Sequence, residues 1–283
     1  MEYIKSPINY SGSKYRLIKK GLIELFPKDI NTFVDLFCGA CNVGINVNAN
    51  KIVFNDYIPY ILDLYKNWKS YGIEETNKYI DDTIDKWKLS STNKESFEKF
   101  RDNYNLTKDI RDLFILICYS FNYQMRFNNS HEYNSSFGKE ASTMNKNIRN
   151  NVNLFIEQLH KKDIIFCNYD FRELKIDNLS DKDFVYLDPP YLVSGAVYQD
   201  GKRGFKSWYQ QDDLDMYNLC DTLNDKNIRF AMSNMLESKG NKNETLIEWS
   251  KKYNIKTLDI NYNGSNYQRK INGKDIEVLI TNY

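Results

Sequence analysis

The chain has 283 residues, with 39 Lys and Arg against 38 Asp and Glu, for a formal net charge of +1. That balance excludes a polyelectrolyte partner held by overall charge, so a nucleic acid would have to meet a local basic face. There is no run of about 18 apolar residues to span a bilayer, and the opening MEYIKSPINY is no signal segment. The expectation is a soluble cytoplasmic protein with no membrane partner. The length allows one large α/β core with a substantial insertion.

Five cysteines, an odd number, are scattered through apolar segments and give no disulfide framework. Cys38 and Cys41 make a lone C-x-x-C, while His131 and His160 lie far off in sequence. A zinc site needs a second pair or nearby histidines, so no metal is expected.

Residues 9–14, Asn-Tyr-Ser-Gly-Ser-Lys, precede Leu17, Ile18, Leu22, Ile23, Leu25 and Phe26, whose spacing predicts a helix. Backbone amides and Lys14 at such a helix start can meet an anion, and an ordinary loop is the plainer alternative. Residues 32–37 read as a strand that runs into a turn holding Gly39 and Gly44, with Val43, Ile45 and Val47 opening a helix. A second strand, 51–56, ends in Asp56, 17 positions after Gly39 (56 − 39). An acid so placed suits the ribose hydroxyls of a nucleoside, although many such acids only cap a helix.

From 57 to 160 the apolar period becomes helical, with polar, Lys- and Asn-rich connections. The end of this insert, 118–138, interleaves aromatics with Asn, Gln and Arg and lacks a helical apolar face. It predicts a hairpin displaying Phe121, Asn122, Gln124, Arg126, Asn128 and Ser136. Arginine can pair with guanine O6 and N7, Asn and Gln with adenine, and aromatics can wedge between bases. A solvated hairpin packed on the insert is the competing view.

Residues 164–171 predict a strand ending at Asp170 and Phe171, and 184–187, FVYL, a buried strand that stops at Asp188-Pro189-Pro190-Tyr191. Two prolines cannot continue a ladder, so the strand ends in a rigid elbow carrying a carboxylate and a ring. A loop at 192–210 with three glycines suits a segment that closes over a ligand. A helix at 212–224, a strand at 228–233, a helix at 244–253 and strands at 255–261 and 277–283 complete the pattern. Alternating strands and helices imply a mostly parallel sheet with helices on both faces.

Taken in this order, 9–14, then Asp35-Leu36-Phe37-Cys38-Gly39-Ala40, the hairpin, Asp170-Phe171 and Asp188-Pro189-Pro190-Tyr191, the motifs resemble the Dam-like DNA N6-adenine methyltransferases (D12 class, α-type). The resemblance spans about residue 6 to 283. It implies the S-adenosylmethionine-dependent methyltransferase fold with a seven-stranded sheet. The catalytic domain would be 1–56 and 161–283, and the inserted helical target-recognition domain 57–160, with its DNA-reading hairpin near 119–138.

The resemblance further implies a methyl donor, S-adenosylmethionine, contacted by Tyr10, Lys14, Phe37, Gly39, Asp56, Asp170, Phe171 and Asp188. Tyr10 stands where the family usually has Trp, and Cys41 where it has the second glycine of F-x-G-x-G. Asp188 and Pro189 would accept the N6 hydrogens of a flipped adenine, followed by Pro190 and Tyr191, whose ring would stack on the base. Arg126 matches a guanine reader, whereas Gln124 and Ser136 replace residues typical of GATC-specific members. The implied site is GATC or a related guanine-containing sequence in double-stranded DNA, methylated by a monomer that a restriction endonuclease can accompany. A cytosine-N4 enzyme would carry Ser at position 188, and an RNA or protein-amide methyltransferase would not need the hairpin. A catalytically silent DNA-binding relative would show damaged motifs.

Overall fold

The structure is a computed structural model that describes residues 3–194, 207–258 and 275–283. Its centre is a sheet of short strands rich in Val, Ile, Phe and Tyr. These are β1 (Thr32–Asp35), β2 (Lys51–Asn55), β3 (Asp163–Cys167), β4 (Phe184–Leu187) and β5 (Arg229–Ser238). They lie parallel in the order β3-β2-β1-β4-β5. A two-residue β6 (Asn241–Lys242) turns back on the end of β5. Beyond β5 the order continues with β8 (Ile276–Thr281) and β7 (Asn254–Leu258), both in antiparallel pairings. The mostly parallel seven-stranded path is therefore present, with β6 as a small addition.

Alternation along the strands builds two apolar layers. Phe33, Phe184 and Tyr186 point to one face, and Val34, Val185, Leu187, Phe230 and Met232 to the other. The second face is covered by α6 (Gln210–Asp225) and α7 (Glu244–Ser250), through Met216, Cys220, Leu223 and Leu246. The first face is covered by the inserted helices α2 (Pro59–Trp87) and α5 (Lys146–Lys161), behind which stand α3 (Lys94–Thr107) and α4 (Ile110–Tyr119).

The insert and the sheet share one continuous core, in which Ile52 and Phe54 join Leu62, Tyr65, Phe114 and Phe155. The connection from β2 to β3 explains why. Parallel neighbours need a crossover, and α2 and α5, both touching β3, supply it. Gly72, at φ 78° and ψ −173°, breaks α2.

Several element ends differ from expectation. The apolar run 17–26 forms only α1 (Tyr15–Ile18) and one 3₁₀ turn, because Gly21 adopts φ 99° between them. Val43, Ile45 and Val47 frame a single 3₁₀ turn (Gly44–Asn46), consistent with the poor helix propensity of β-branched residues. Strand β3 stops at Cys167, and Asp170 instead opens a 3₁₀ turn. Strand β5 runs to Ser238, five residues past the expected end (238 − 233), through an irregularity between Met235 and Glu237. Helix α7 ends at Ser250, α6 begins at Gln210, and β8 ends at Thr281. Most of the expected closing loop, 195–206, and the end of the 255–261 strand lie outside the described residues.

Candidate active site

The site forms where the sheet changes direction. From β1 the chain goes to β2 and β3 on one side, then returns to β4 and β5 on the other. The Leu36 N–H donates to the Tyr186 carbonyl at 3.0 Å, the last rung before the two strands part. The carboxyl ends of strands at such a reversal are where open α/β sheets hold ligands.

On the β4 side the chain leaves the sheet as Asp188-Pro189-Pro190-Tyr191. The Asp188 Oδ1 lies 2.8 Å from Lys14 Nζ and 3.0 Å from the Tyr191 hydroxyl. Oδ2 has no partner among the described residues. The Tyr191 hydroxyl also stands 2.9 Å from Glu277 Oε1, and Lys14 Nζ lies 3.5 Å from that oxygen. The Lys14 ammonium sits 4.9 Å from the centre of the Tyr191 ring. Burial pushes the Asp188 carboxyl up, against the opposing pull of Lys14. Burial works to lower the Lys14 pKa, yet the facing carboxylates of Asp188 and Glu277 outweigh it and raise it. Glu277 escaped the sequence reading because it is one acid at the start of an apolar strand, remote from every motif. Only pairing of β8 with β5 brings it here.

On the β1 and β2 side, the Asp56 carboxylate receives the Gly39 N–H at 2.8 Å on Oδ2 and the Ile58 N–H at 2.9 Å on Oδ1. It both shapes the turn after β1 and starts the chain into α2. Gly39 has φ 49°, and a Cβ there would stand 2.9 Å from the Tyr10 ring, so glycine lets Tyr10 lie on the turn. Cys41, in the place of the family's second glycine, adopts φ 60° and donates its N–H to the Cys38 carbonyl at 2.6 Å. This left-handed backbone carries a side chain that is fully buried.

Phe37 packs against Phe171 (centroids 5.6 Å apart) and against Trp208 (5.8 Å). These contacts bring the ends of β1 and β3 together with the start of α6. Asp170 caps the turn Phe171–Glu173 through the Arg172 N–H, and its carboxylate also pairs with the Arg172 guanidinium. Asp35, under the floor of the site, accepts the Gly44 N–H at 3.0 Å. Its burial, with smaller contributions from Asp188 and Asp56, pushes it up to about 8.

The displayed segment is a hairpin. Its base is closed by Phe121 N–H to the Ser136 carbonyl and Gly138 N–H to the Tyr119 carbonyl, each 2.8 Å, and its far end by Asn128 N–H to the Glu132 carbonyl at 2.9 Å. Tyr133, buried inside, bonds Ser120 and the Gln124 carbonyl. Phe121 is exposed at 54%, Asn122 adopts φ 53°, and the Asn122 carbonyl accepts from the Asn9 amide at 3.2 Å. The hairpin base is thereby tied to the segment that carries Tyr10 and Lys14. Arg126 and Ser136 are exposed, Gln124 is half-buried, and Arg126 forms no ion pair among the described residues. Asn128 differs from expectation: its side chain closes the tip, accepting from the Ser130 and Glu132 N–H groups and donating to the Glu132 carboxylate.

The sequence matches the model of the D12 class of N6 adenine-specific DNA methyltransferases over residues 10–263. The chain belongs to that family. It is 47% identical over 281 residues to the type II methyltransferase M.FokI of Planomicrobium okeanokoites, and 45% identical over 284 residues to the modification methylase StsI of Streptococcus sanguinis. Those alignments cover 99% and 100% of this chain and 43% of each relative, so the chain spans less than half the length of these relatives. A DNA adenine methylase of Haemophilus influenzae is 24% identical over 190 residues, covering 65% of this chain and 63% of its own. Among the described residues no helix is long and apolar enough to cross a membrane, and no group of three or more His, Cys, Asp and Glu is arranged to hold a metal ion.

Proposed function

We propose that this chain transfers a methyl group from S-adenosylmethionine to N6 of an adenine turned out of duplex DNA. The observation that carries this is the Asp188 carboxylate, held on Oδ1 by Lys14 at the sheet reversal with Oδ2 left to accept a hydrogen bond. The amino group of adenine is a weak nucleophile because its lone pair is delocalised into the ring. Asp188 Oδ2 and the Pro189 carbonyl accept its two N–H bonds and draw that lone pair out of conjugation. Fixed acceptors in a water-poor pocket supply this without reorganising. Tyr191 offers its ring to the base, which cannot be reached while stacked in the duplex.

The neighbouring residues suit an adenosine-bearing donor. Asp56 keeps lone pairs for hydroxyls beyond its two backbone bonds, Phe37 and Phe171 offer apolar surface, and the Gly39 turn leaves its backbone accessible beside Tyr10. S-adenosylmethionine, when bound, supplies an electrophilic methyl group. Lys14 and the three strand ends orient it.

The helical segment 57–160 with its hairpin is the DNA-reading unit. Phe121 and Asn122 enter the base stack, with Gln124 and Ser136 beside them, and Arg126 reads a guanine. The recognition sequence is GATC or a related guanine-containing site. The relatives' description as modification methylases supports a role beside a restriction endonuclease.

Incubating the protein with duplex DNA and labelled S-adenosylmethionine, then sequencing for modified bases, tests this directly. Label in N6-methyladenine at one guanine-containing sequence is expected. Label in cytosine, RNA or protein, or an Asp188→Ala variant that methylates at the wild-type rate, would sink the proposal.

A further inference from the structure

The insert holds a cavity that shares no residue with the candidate active site. It lies along α2 where that helix faces the start of α4, and its volume is about 200 Å³. Its walls are aromatic, from Trp68, Tyr71, Tyr79 and Phe114. Trp68 meets Phe114 edge-on, with centroids 5.0 Å apart. Tyr79 is fixed from two sides, its hydroxyl donating to Asp112 at 2.7 Å and its ring lying 4.4 Å from the Arg111 guanidinium. The walls are therefore set by the protein itself. An apolar cavity of roughly 150 Å³ holds a benzene ring, so this one has room for one ring or two fused rings.

The break in α2 leaves hydrogen-bonding capacity at this cavity. Gly72 departs from helical geometry in the middle of the stretch 67–82 that supplies most of the lining. A threonine in a helix ordinarily returns its hydroxyl to a carbonyl one turn back. Thr107 does so to Asn103 at 3.0 Å and Thr222 to Asn218 at 2.8 Å. Thr76, which lines the cavity, has Gly72 four residues back, and its buried hydroxyl has no hydrogen-bond partner. Such a group is costly to bury and asks for an explanation. Trp68 is only 2% exposed, and its indole N–H makes no hydrogen bond among the described residues.

We propose that this cavity binds a neutral, flat heteroaromatic molecule of one or two fused rings that presents a hydrogen-bond acceptor to Thr76 and Trp68. Flatness follows from the four aromatic walls, against which rings stack or pack edge-on. The acceptor follows from the donors, because an indole N–H can only donate and a hydroxyl can donate as well as accept. Rotation about the Thr76 Cα–Cβ bond, between the two rotamers open to threonine in a helix, trades methyl for hydroxyl at the wall. Neutrality follows from the charged lining residues, which come as two acids, Glu75 and Asp82, and two bases, Lys78 and Arg111. Lys78 pairs with Asp82 and Arg111 with Asp109, so neither base is left to hold an anion. The site is independent of the methyl-transfer reading.

The test uses quinoline and naphthalene, two fused-ring probes of the same shape, of which only quinoline carries a ring-nitrogen acceptor. Each is titrated into the full chain, with affinity read by calorimetry and location by chemical-shift changes in the protein. Expected is quinoline binding at about 1 mM or tighter, with shifts centred on residues 67–82 and 111–114. Quinoline should bind about threefold to tenfold more tightly than naphthalene. Thr76→Val, which replaces the hydroxyl by a methyl, should shrink that preference by about threefold while leaving naphthalene affinity within about twofold. Thr76→Ser, which keeps the hydroxyl, should retain it.

Denaturant titration gives a second readout. The unfolding midpoint of Thr76→Val should not fall below that of the wild type, because the hydroxyl it loses has no partner within the protein. A lower midpoint would mean that the hydroxyl serves the fold, and would overturn the proposal. So would quinoline that fails to bind up to its solubility limit, shifts centred elsewhere in the chain, naphthalene bound as tightly as quinoline, or a preference unchanged in Thr76→Val.

Discussion

Arg172 closes over Asp170. Its Nη1 lies 3.0 Å from Asp170 Oδ1, while its other nitrogens lie 2.6 Å from Asp212 and from Asp215 at the start of α6. The guanidinium also stacks 4.4 Å from the centre of the Phe171 ring. One side chain thus ties the end of β3 to α6, and Asp170 is oriented by it.

Removing this tie should loosen the side of the site proposed to hold the cofactor more than the side proposed to carry the chemistry. Arg172→Leu is expected to raise the KM for S-adenosylmethionine by about tenfold, equivalent to ~1.4 kcal/mol, with kcat changed by less than about threefold. Arg172→Lys should recover only part, since a point charge cannot serve three carboxylates in a fork. Steady-state kinetics on the two variants checks both statements.

Asp35 gives stability a pH dependence of definite sign. Burial chiefly raises its folded pKa, to about 8 against an ordinary 3.8, so the folded state binds the extra proton between those values. The contribution is fully present below the unfolded pKa and is lost as pH rises through the folded one. Asp35→Asn, which can still accept the Gly44 N–H, should flatten that loss. Relative to wild type, its unfolding free energy should gain about 2–4 kcal/mol between about pH 5 and about pH 8 in denaturant titrations.

Asp188 has its own pH signature. Its folded pKa is raised, mainly by burial, and the role proposed for it requires the carboxylate. Methyl transfer should therefore fail on the acid side at a pH above the ordinary carboxylate range. A pH profile of kcat with an acid limb at the unperturbed Asp position would contradict this.

On the proposed function, the hairpin separates reading from holding. Arg126→Ala should relax preference at one base pair by about 1–3 kcal/mol without unfolding the protein. Gly138→Ala should act by a different route. A Cβ there would stand 2.4 Å from Ser142 and 2.8 Å from the Ser120 carbonyl, so the hairpin base must shift, and affinity should fall for all sequences alike. Binding assays against a panel of single-base variants distinguish the two patterns.

Much of the candidate site's local geometry was readable along the chain because it depends on residues that are neighbours in sequence. Phe184 to Leu187 can only be a buried strand, two prolines must end it, and Asp188 is therefore delivered at a strand end. The order of motifs around it carried the family. What the chain order could not show was anything decided by packing between distant segments. Glu277 reaches Tyr191 only because β8 inserts antiparallel between β5 and β7. Asn128, legible as a base reader by residue type, spends its hydrogen bonds on the hairpin tip. The insert, separable by its change of period, shares its core with the sheet because α2 and α5 are the crossover that parallel β2 and β3 require. Local sequence determined which groups stand at each strand end; hydrogen-bond demand and burial across the tertiary structure decided which of them face one another.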